Sequence, residues 1–316
     1  MVTNTFPHRE SSTLARGLAG VWRIADPKIT LASVASMLVG AAAAAWAGPI
    51  AWGWLALTIL GVFCVEAAKN ASGEIFDWDS GADQGVRDDE RSPFSGGKRV
   101  LVDGLLTREQ TAAVAAVFYT AAILVGLAIV LGREPHVLWL GMLGVALAFF
   151  YHAPPLQLAY RGFGEAAVAL CYGPIIALGT YLVQRHALGG SVLAASLPLG
   201  VAIGAFLWIN ELPDARADEA AGKKTLVVRL GRVRAARWFA GIVATAYTGV
   251  VLLPLAGPPL AVWLGLIGLP HGIAAARRLA RAPGSVQEIV PAQASTLLSF
   301  VLMAVGIAAG FVIAAL

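Results

Sequence analysis

The sequence is short of charge. Of its 316 residues only 13% are Asp, Glu, Lys or Arg, against roughly 25% in a soluble domain. With 58% of residues hydrophobic, an ordinary globular core cannot absorb the surplus, so apolar surface must face lipid. Cysteine is scarce as well. Cys64 and Cys171 both sit inside apolar runs, which excludes a disulfide framework. No glycine-rich nucleotide motif, zinc-spaced Cys/His set or repeat array is present. The formal charge of +4 is spread between apolar runs rather than gathered into one stripe, so no nucleic-acid surface is expected. The first 28 residues lack a short apolar core with a small-residue cleavage site, and the first helix is expected to act as its own membrane signal.

What is present is a series of apolar runs. A helix needs about 20 apolar residues to cross the hydrocarbon core. Runs of that kind lie near 29–47, 50–73, 107–131, 136–152, 163–184, 191–212, 235–255, 258–280 and 290–315. The expected fold is therefore an all-α integral membrane protein of nine transmembrane helices. A cytoplasmic segment 1–28 precedes a single membrane domain, 29–316.

The basic residues orient it. With the N-terminus inside, 20 of the 23 Lys and Arg residues fall on inner segments. Only Arg133 and Arg185 fall outside, and Lys69 sits in a span near its inner end. The excess of Lys and Arg on one side places that side, and the N-terminus, in the cytoplasm and the C-terminus outside. Several outer connections are very short, whereas the inner connections after spans two and six are long and polar. Loops of that kind carry function on a scaffold of rigid helices.

Those two loops share one plan. The first runs from Asn70 through Glu74, Asp77, Asp79 and Asp83 to Asp88-Asp89-Glu90-Arg91, then to Gly96-Gly97-Lys98-Arg99. The second runs from Asn210 through Glu211, Asp214 and Asp218 to Gly222-Lys223-Lys224. In each, an Asn at a helix end is followed by carboxylates, then by glycine and a basic pair. Helical spacing puts Glu66, Asn70 and Asp77 on one face, and Asn210, Asp214 and Asp218 on another, with Pro213 able to distort the turn. A lone acidic loop at a membrane surface is usually a solvated cap. Two on one face repel one another unless a cation lies between them. Magnesium suits such a site: it takes oxygen ligands, needs one or two protein carboxylates, and completes its shell with water and substrate phosphate. Lys or Arg then neutralise the remaining phosphate charge. The residues thus point to a magnesium–diphosphate site.

Three further residues carry smaller expectations. Glu66 is an intramembrane ionisable group, read either as functional or as a local partner of Lys69 one turn on. Tyr151 and His152 end span four just before Ala153-Pro154-Pro155. Tyr151 is placed to stack on a carbocation or bind phosphate, and His152 to act as a base.

The segments Asp77–Asp83, Tyr151–Glu165 and Asn210–Leu226 resemble those of the UbiA superfamily of intramembrane prenyltransferases, most of all its menaquinone-type branch. The resemblance runs over nearly the whole chain. It implies nine helices around a central cavity with cytoplasmic cap loops. It implies transfer of an isoprenoid from an allylic prenyl diphosphate to an aromatic acceptor. By the same resemblance Asp77 and Asp83 form one magnesium-binding pair and Asp214 and Asp218 the other, supported by Asn210. Arg91, Lys98 and Lys223 become diphosphate contacts, and Tyr151 and Arg161 line the site. Two positions depart from the family pattern. Gly73 stands where Asn is usual, with Asn70 one turn earlier as its replacement, and Ala159 stands where Lys is common. Both bear on the acceptor.

Two other readings stand beside this one. A terpene cyclase on the same scaffold closes the cation on itself without an acceptor, and Gly73 with His152 fits that reading. A transporter of an anionic lipid is the alternative from another class, against which stands the scarcity of mid-span charge.

Overall fold

The computed structural model describes residues 13–282, 284 and 286–316. The first twelve residues of the predicted segment 1–28 lie outside the described residues. The rest of that segment holds α1 (Thr13–Ala25), which leaves Leu18 and Trp22 exposed, and the start of α2 (Pro27–Ala47). There follow α3 (Trp52–Ser80), α4 (Arg108–Gly132), α5 (Val137–Phe150), α6 (Gly164–Leu170), α7 (Ile176–Arg185), α8 (Gly190–Ala220), α9 (Leu226–Leu230), α10 (Arg232–Leu252), α11 (Leu269–Arg281) and α12 (Val286–Ile313). A turn of π-helix, Cys171–Ile175, joins α6 to α7, and a 3-10 segment, Leu260–Gly268, leads into α11.

Among the described residues, eight of these units are long and apolar enough to cross a membrane. The molecule is an all-α integral membrane protein. The predicted fourth span, 136–152, forms α5, whose 14 residues reach roughly 21 Å, less than the ~30 Å hydrocarbon core. It still runs from the end that holds Glu134 and His136 to Tyr151 and His152 at the other, and so joins the two ends as the ninth unit.

Two helices overrun their predicted ends. The apolar runs 50–73 and 191–212 continue as α3 to Ser80 and as α8 to Ala220. Hydropathy stops where carboxylates begin, but these carboxylates face a chamber rather than ending the helix. At 1.5 Å per residue α3 and α8 are roughly 44 and 46 Å long, so their last turns stand beyond the hydrocarbon and carry the acidic groups with them. Pro213 lies within α8 without ending it. Gly81, with φ of 83°, caps α3 in the left-handed region that glycine adopts without strain.

The opposite end of the bundle is tied shut. Arg133 donates to the Val183 and Gln184 carbonyls at 2.9 and 3.1 Å, and Arg185 donates to the Pro49 carbonyl. The buried Glu134 carboxylate accepts from His136 and His186 at 2.7 and 2.8 Å. In mid-bundle α8 crosses the π turn closely. A Cβ on Gly173 would lie 2.8 Å from the Gly200 Cα and 2.9 Å from the Ser196 carbonyl oxygen, so the backbones meet there with no side chain between them. Pro174, which has no N–H to give a helix, sits in that turn.

Candidate active site

A chamber of about 710 Å³ opens between the inner ends of α3 and α8. Asn70, Glu74 and Asp77 reach it from α3; Asn210, Glu211, Asp214 and Asp218 reach it from α8. The loop after α3 folds over it, bringing in Asp83, Arg91, Lys98 and Arg99, and Lys223 enters from the turn after α8. Ten of the eleven predicted site residues therefore line one chamber: Asp77, Asp83, Asp214, Asp218, Tyr151, Asn70, Arg91, Lys98, Asn210 and Lys223.

Arg161 does not. It is exposed, and its carbonyl accepts from Arg229 at 2.6 Å. The 3-10 turn Leu158–Arg161 directs neighbouring side chains to different sides. Tyr160 therefore faces inward in its place and donates to Asp77 Oδ1 at 2.6 Å. Sequence reasoning missed Tyr160. Its only signal was an aromatic ring beside Arg161 in the same segment, and spacing alone does not say which of the two turns in.

Lys223 is the cationic centre of the chamber. Its Nζ lies 3.5 Å from Asp77 Oδ2 and 3.7 Å from Asp218 Oδ1, and 5.4 Å from the centre of the Tyr160 ring. Burial alone would lower its pKa, but Asp218 and Asp77 hold the ammonium well above its ordinary value. Burial raises the Tyr160 hydroxyl, with the Asp77 charge adding to the effect.

Asp83 is pushed up to about 9 by burial and by the charges of Asp77 and Glu74. Its carboxylate rests on Gly97, where any Cβ would collide with it. Gly97 and Gly96 both have positive φ, which lets the loop turn this tightly. From the same turn the Gly96 N–H donates to Asp214 Oδ2 at 2.8 Å. One short stretch of main chain therefore touches a carboxylate of each acidic motif. Glu90 anchors the loop from outside. It accepts from Arg216 at 2.6–3.1 Å and from Arg232 at 3.3 Å, and the Arg216 hydrogen bond holds its carboxyl below the ordinary value.

The other predicted contacts are already engaged. Lys98 pairs with Asp26 at the end of α1, Arg91 pairs with Asp88 at 3.1 Å, and Asn70 donates to the Ile24 carbonyl at 2.9 Å. Asn70 does not fill the volume at Gly73. His152 does: a Cβ on Gly73 would lie 2.6 Å from its ring. His152 Nε2 is 3.5 Å from Asp77 Oδ2, and its buried Nδ1 has no hydrogen-bond partner among the described residues. Burial lowers its pKa to about 4, so the imidazole is neutral at pH 7.

Four further buried oxygens in this wall have no partner among the described residues: Asp83 Oδ2, Asp214 Oδ1, Asn210 Oδ1 and Glu211 Oε2. Orphaned oxygens of this kind are rare unless a ligand satisfies them. Among the described residues, no three carboxylate, imidazole or thiol groups converge tightly enough to hold an ion by themselves. Magnesium asks for less, since water and substrate phosphate supply most of its shell. The hard oxygen set therefore fits it.

A second cavity, about 620 Å³ and almost wholly apolar, lies between α3, α4, α5 and the α6–α7 unit. Lys69, Tyr151, Val168 and Tyr172 line both spaces, so the two adjoin at these residues. Glu66 faces this second cavity, not the chamber that holds its helix neighbours Asn70 and Asp77.

The profile of the UbiA prenyltransferase family matches residues 33–301. The chain belongs to that family. It is 30% identical over 285 residues to the 1,4-dihydroxy-2-naphthoate octaprenyltransferase of Mycobacterium tuberculosis, covering 90% of this chain and 94% of that one. It is also 30% identical over 235 residues to the 2-carboxy-1,4-naphthoquinone phytyltransferase of Synechocystis, covering 70% and 71%. Among solved structures, a UbiA homolog from Aeropyrum pernix K1 shares the fold with a TM-score of 0.66 at 17% identity, covering 88% of this chain and 96% of that one. A UbiA homolog from Archaeoglobus fulgidus, bound to GPP and Mg2+, gives 0.63 at 14% identity, covering 91% and 99%. This UbiA member is a membrane prenyltransferase, and its relatives fall in the branch that the sequence segments pointed to.

Proposed function

We propose that the chamber transfers an isoprenoid from an allylic prenyl diphosphate to an aromatic acceptor of the hydroxynaphthoate class, with release of diphosphate. The observation that carries this reading is the ring of unpartnered oxygens on Asp83, Asn210, Glu211 and Asp214 facing the buried ammonium of Lys223. An anion bridged by a divalent cation satisfies both sets at once. The relative with GPP and Mg2+ bound supports the same ligand pair.

Asp77, Asp83, Asp214 and Asp218 would hold magnesium, which when bound neutralises charge on the departing diphosphate. Lys223, Lys98 and Arg91 meet the phosphate oxygens as charge develops on them. The isoprenoid tail passes between Tyr151 and Tyr172 into the apolar cavity, which excludes water from the allylic cation. The Tyr151 ring face borders that passage and stabilises the cation through its quadrupole. An electron-rich arene then attacks the cation; the new C–C bond replaces the broken C–O bond to diphosphate, and the proton lost from the attacked ring carbon passes to the released diphosphate. In this reading residues 29–316 act as one membrane domain, with the N-terminus and the chamber on the cytoplasmic side and the C-terminus outside. The cyclase and transporter alternatives draw no support from the relatives, which are named as prenyl- and phytyltransferases.

The test uses purified protein in detergent with magnesium and a panel of prenyl diphosphates, with and without 1,4-dihydroxy-2-naphthoate. Prenylated arene is expected only when acceptor and magnesium are both present, and EDTA should abolish it. Asp77→Ala and Asp214→Ala should each abolish turnover in protein that elutes as the wild type does on size exclusion. Retained turnover in either variant would overturn the assignment, and a hydrocarbon product without acceptor would establish the cyclase instead.

A further inference from the structure

Glu66 lies inside the membrane on α3 and is only 5% exposed. Among the described residues, neither of its carboxylate oxygens has a hydrogen-bond partner. Ser33 and Tyr172 are polar neighbours of that carboxyl. One turn on, Lys69 extends from the same helix to where chamber and apolar cavity adjoin, its ammonium 5.7 Å from the centre of the Tyr151 ring. No ion pair forms between Glu66 and Lys69, and among the described residues Lys69 has no hydrogen-bonded or ionic partner. The two side chains interact through charge without the contact of an ion pair.

A carboxyl group and an amine side by side in an apolar wall, neither in an ion pair, are costly unless a ligand answers both. Their Cβ atoms are neighbours on one helix face, about 5–6 Å apart. The complementary ligand carries an anionic group and a hydrogen-bond donor on one rigid frame of about that span. It is also flat, because the passage is walled by the Tyr151 and Tyr172 rings. The departing diphosphate does not meet this description. Its contacts lie in the chamber with Lys223 and the aspartates, whereas Glu66 faces only the apolar cavity and Lys69 stands at the boundary of the two.

We infer that Lys69 and Glu66 are the acceptor's binding pair, with Lys69 holding the ring carboxylate and Glu66 accepting a ring hydroxyl. The inference rests on the reading of the chamber as an aryl prenyltransferase site and adds to it which polar groups the acceptor must carry. An arene with both carboxylate and hydroxyl fills the passage. Docked there, it presents its ring edge toward the chamber where the allylic cation forms.

The experiment compares two acceptors, 1,4-dihydroxy-2-naphthoate and 1,4-naphthalenediol, which differ only in the carboxylate. In the wild type the carboxylated acceptor should have the larger kcat/KM. Lys69→Met should lower the ratio of the two kcat/KM values by about tenfold or more, because a buried cation that meets a carboxylate is lost. Lys69→Arg should retain most of the preference, and the KM for the prenyl diphosphate should stay near that of the wild type. Equilibrium binding of 1,4-dihydroxy-2-naphthoate alone should weaken by a similar factor in Lys69→Met, and less in Glu66→Gln. If Lys69→Met does not fold, Lys69→Gln carries the same comparison. An unchanged ratio with unchanged binding overturns the inference, as does a raised KM for the prenyl diphosphate, which would make Lys69 a phosphate contact. If the wild type prenylates neither arene, the transferase reading fails by itself, while the binding arm still reports whether Lys69 recognises the carboxylate.

Discussion

Gly73→Ala turns the fit between two motifs into a measurable sign. In an ordinary helix interior, alanine in place of glycine stabilises by roughly 0.5–1 kcal/mol, because it lowers the freedom of the unfolded chain. At this position the new methyl would stand 2.6 Å from His152 Cε1 and 2.7 Å from Nδ1, nearly 1 Å inside ordinary contact. The buried ring cannot retreat without leaving its place beside Asp77. Overpacking of this kind costs about 1–3 kcal/mol. The two effects leave Gly73→Ala destabilising by about 1 kcal/mol, while in a His152→Ala background the clash is gone and the same change should stabilise. The coupling between the sites is then about 1–3 kcal/mol, within the range seen for residues in contact. Thermal unfolding midpoints of the four proteins in one detergent, taken at one scan rate, read the signs directly. If Gly73→Ala raises the midpoint in both backgrounds, His152 does not occupy the space that Gly73 vacates, and the account of this departure from the family pattern is wrong.

Three other outcomes test other parts of the site. Tyr160→Phe removes the 2.6 Å bond to Asp77; a hydrogen bond to a charged group contributes about 1.5–3 kcal/mol, so kcat/KM should fall at least about tenfold, and an unchanged value would show that Asp77 needs no such partner. Glu90→Gln should make the loop between α3 and α4 more sensitive to protease. Since the Glu90 carboxyl is held below its ordinary value, its contribution is present at neutral pH and disappears as pH falls below that range. The wild type should therefore lose loop protection in acid, and Glu90→Gln should show no such acid-dependent loss. Gly179→Leu adds a side chain at a position in the apolar cavity where a new Cβ meets nothing within 4 Å. It should shift preference toward shorter prenyl diphosphates in paired kcat/KM measurements, and an unaltered preference would mean that the tail lies elsewhere.

Much of this architecture could be read from the residues, because the signals were coarse and repeated. Apolar runs of membrane length, basic residues on one side and two acidic loops on that side each point the same way, and the helices follow them. The boundaries were less legible for a physical reason. Hydropathy treats Asp77, Asp214 and Asp218 as the end of a span, yet each sits on a helix that continues so that it can aim them inward. Within the site, position along a turn decides function, and spacing does not report it. Arg161 and Tyr160 are neighbours, but only the tyrosine turns toward Asp77. Glu66 and Asn70 share a helix face in projection, yet they open onto different cavities. The relation between Gly73 and His152 was invisible in sequence because 79 positions separate two residues that touch.

The crossing of α8 over the π turn has a mechanical consequence. Where the Gly173 and Gly200 backbones meet, α8 cannot slide without driving one main chain into the other, so its motion must be rotation about that point. Asp214 and Asp218 lie 14 and 18 residues further along α8, roughly 21 and 27 Å from the pivot at 1.5 Å per residue. A swing of only about 5° would carry Asp214 by about 2 Å, comparable to a whole metal–oxygen bond. The helix is thus a lever with its fulcrum near mid-bundle and its load at the reacting end. A side chain added at Gly200 should change diphosphate binding from a place that no substrate atom reaches.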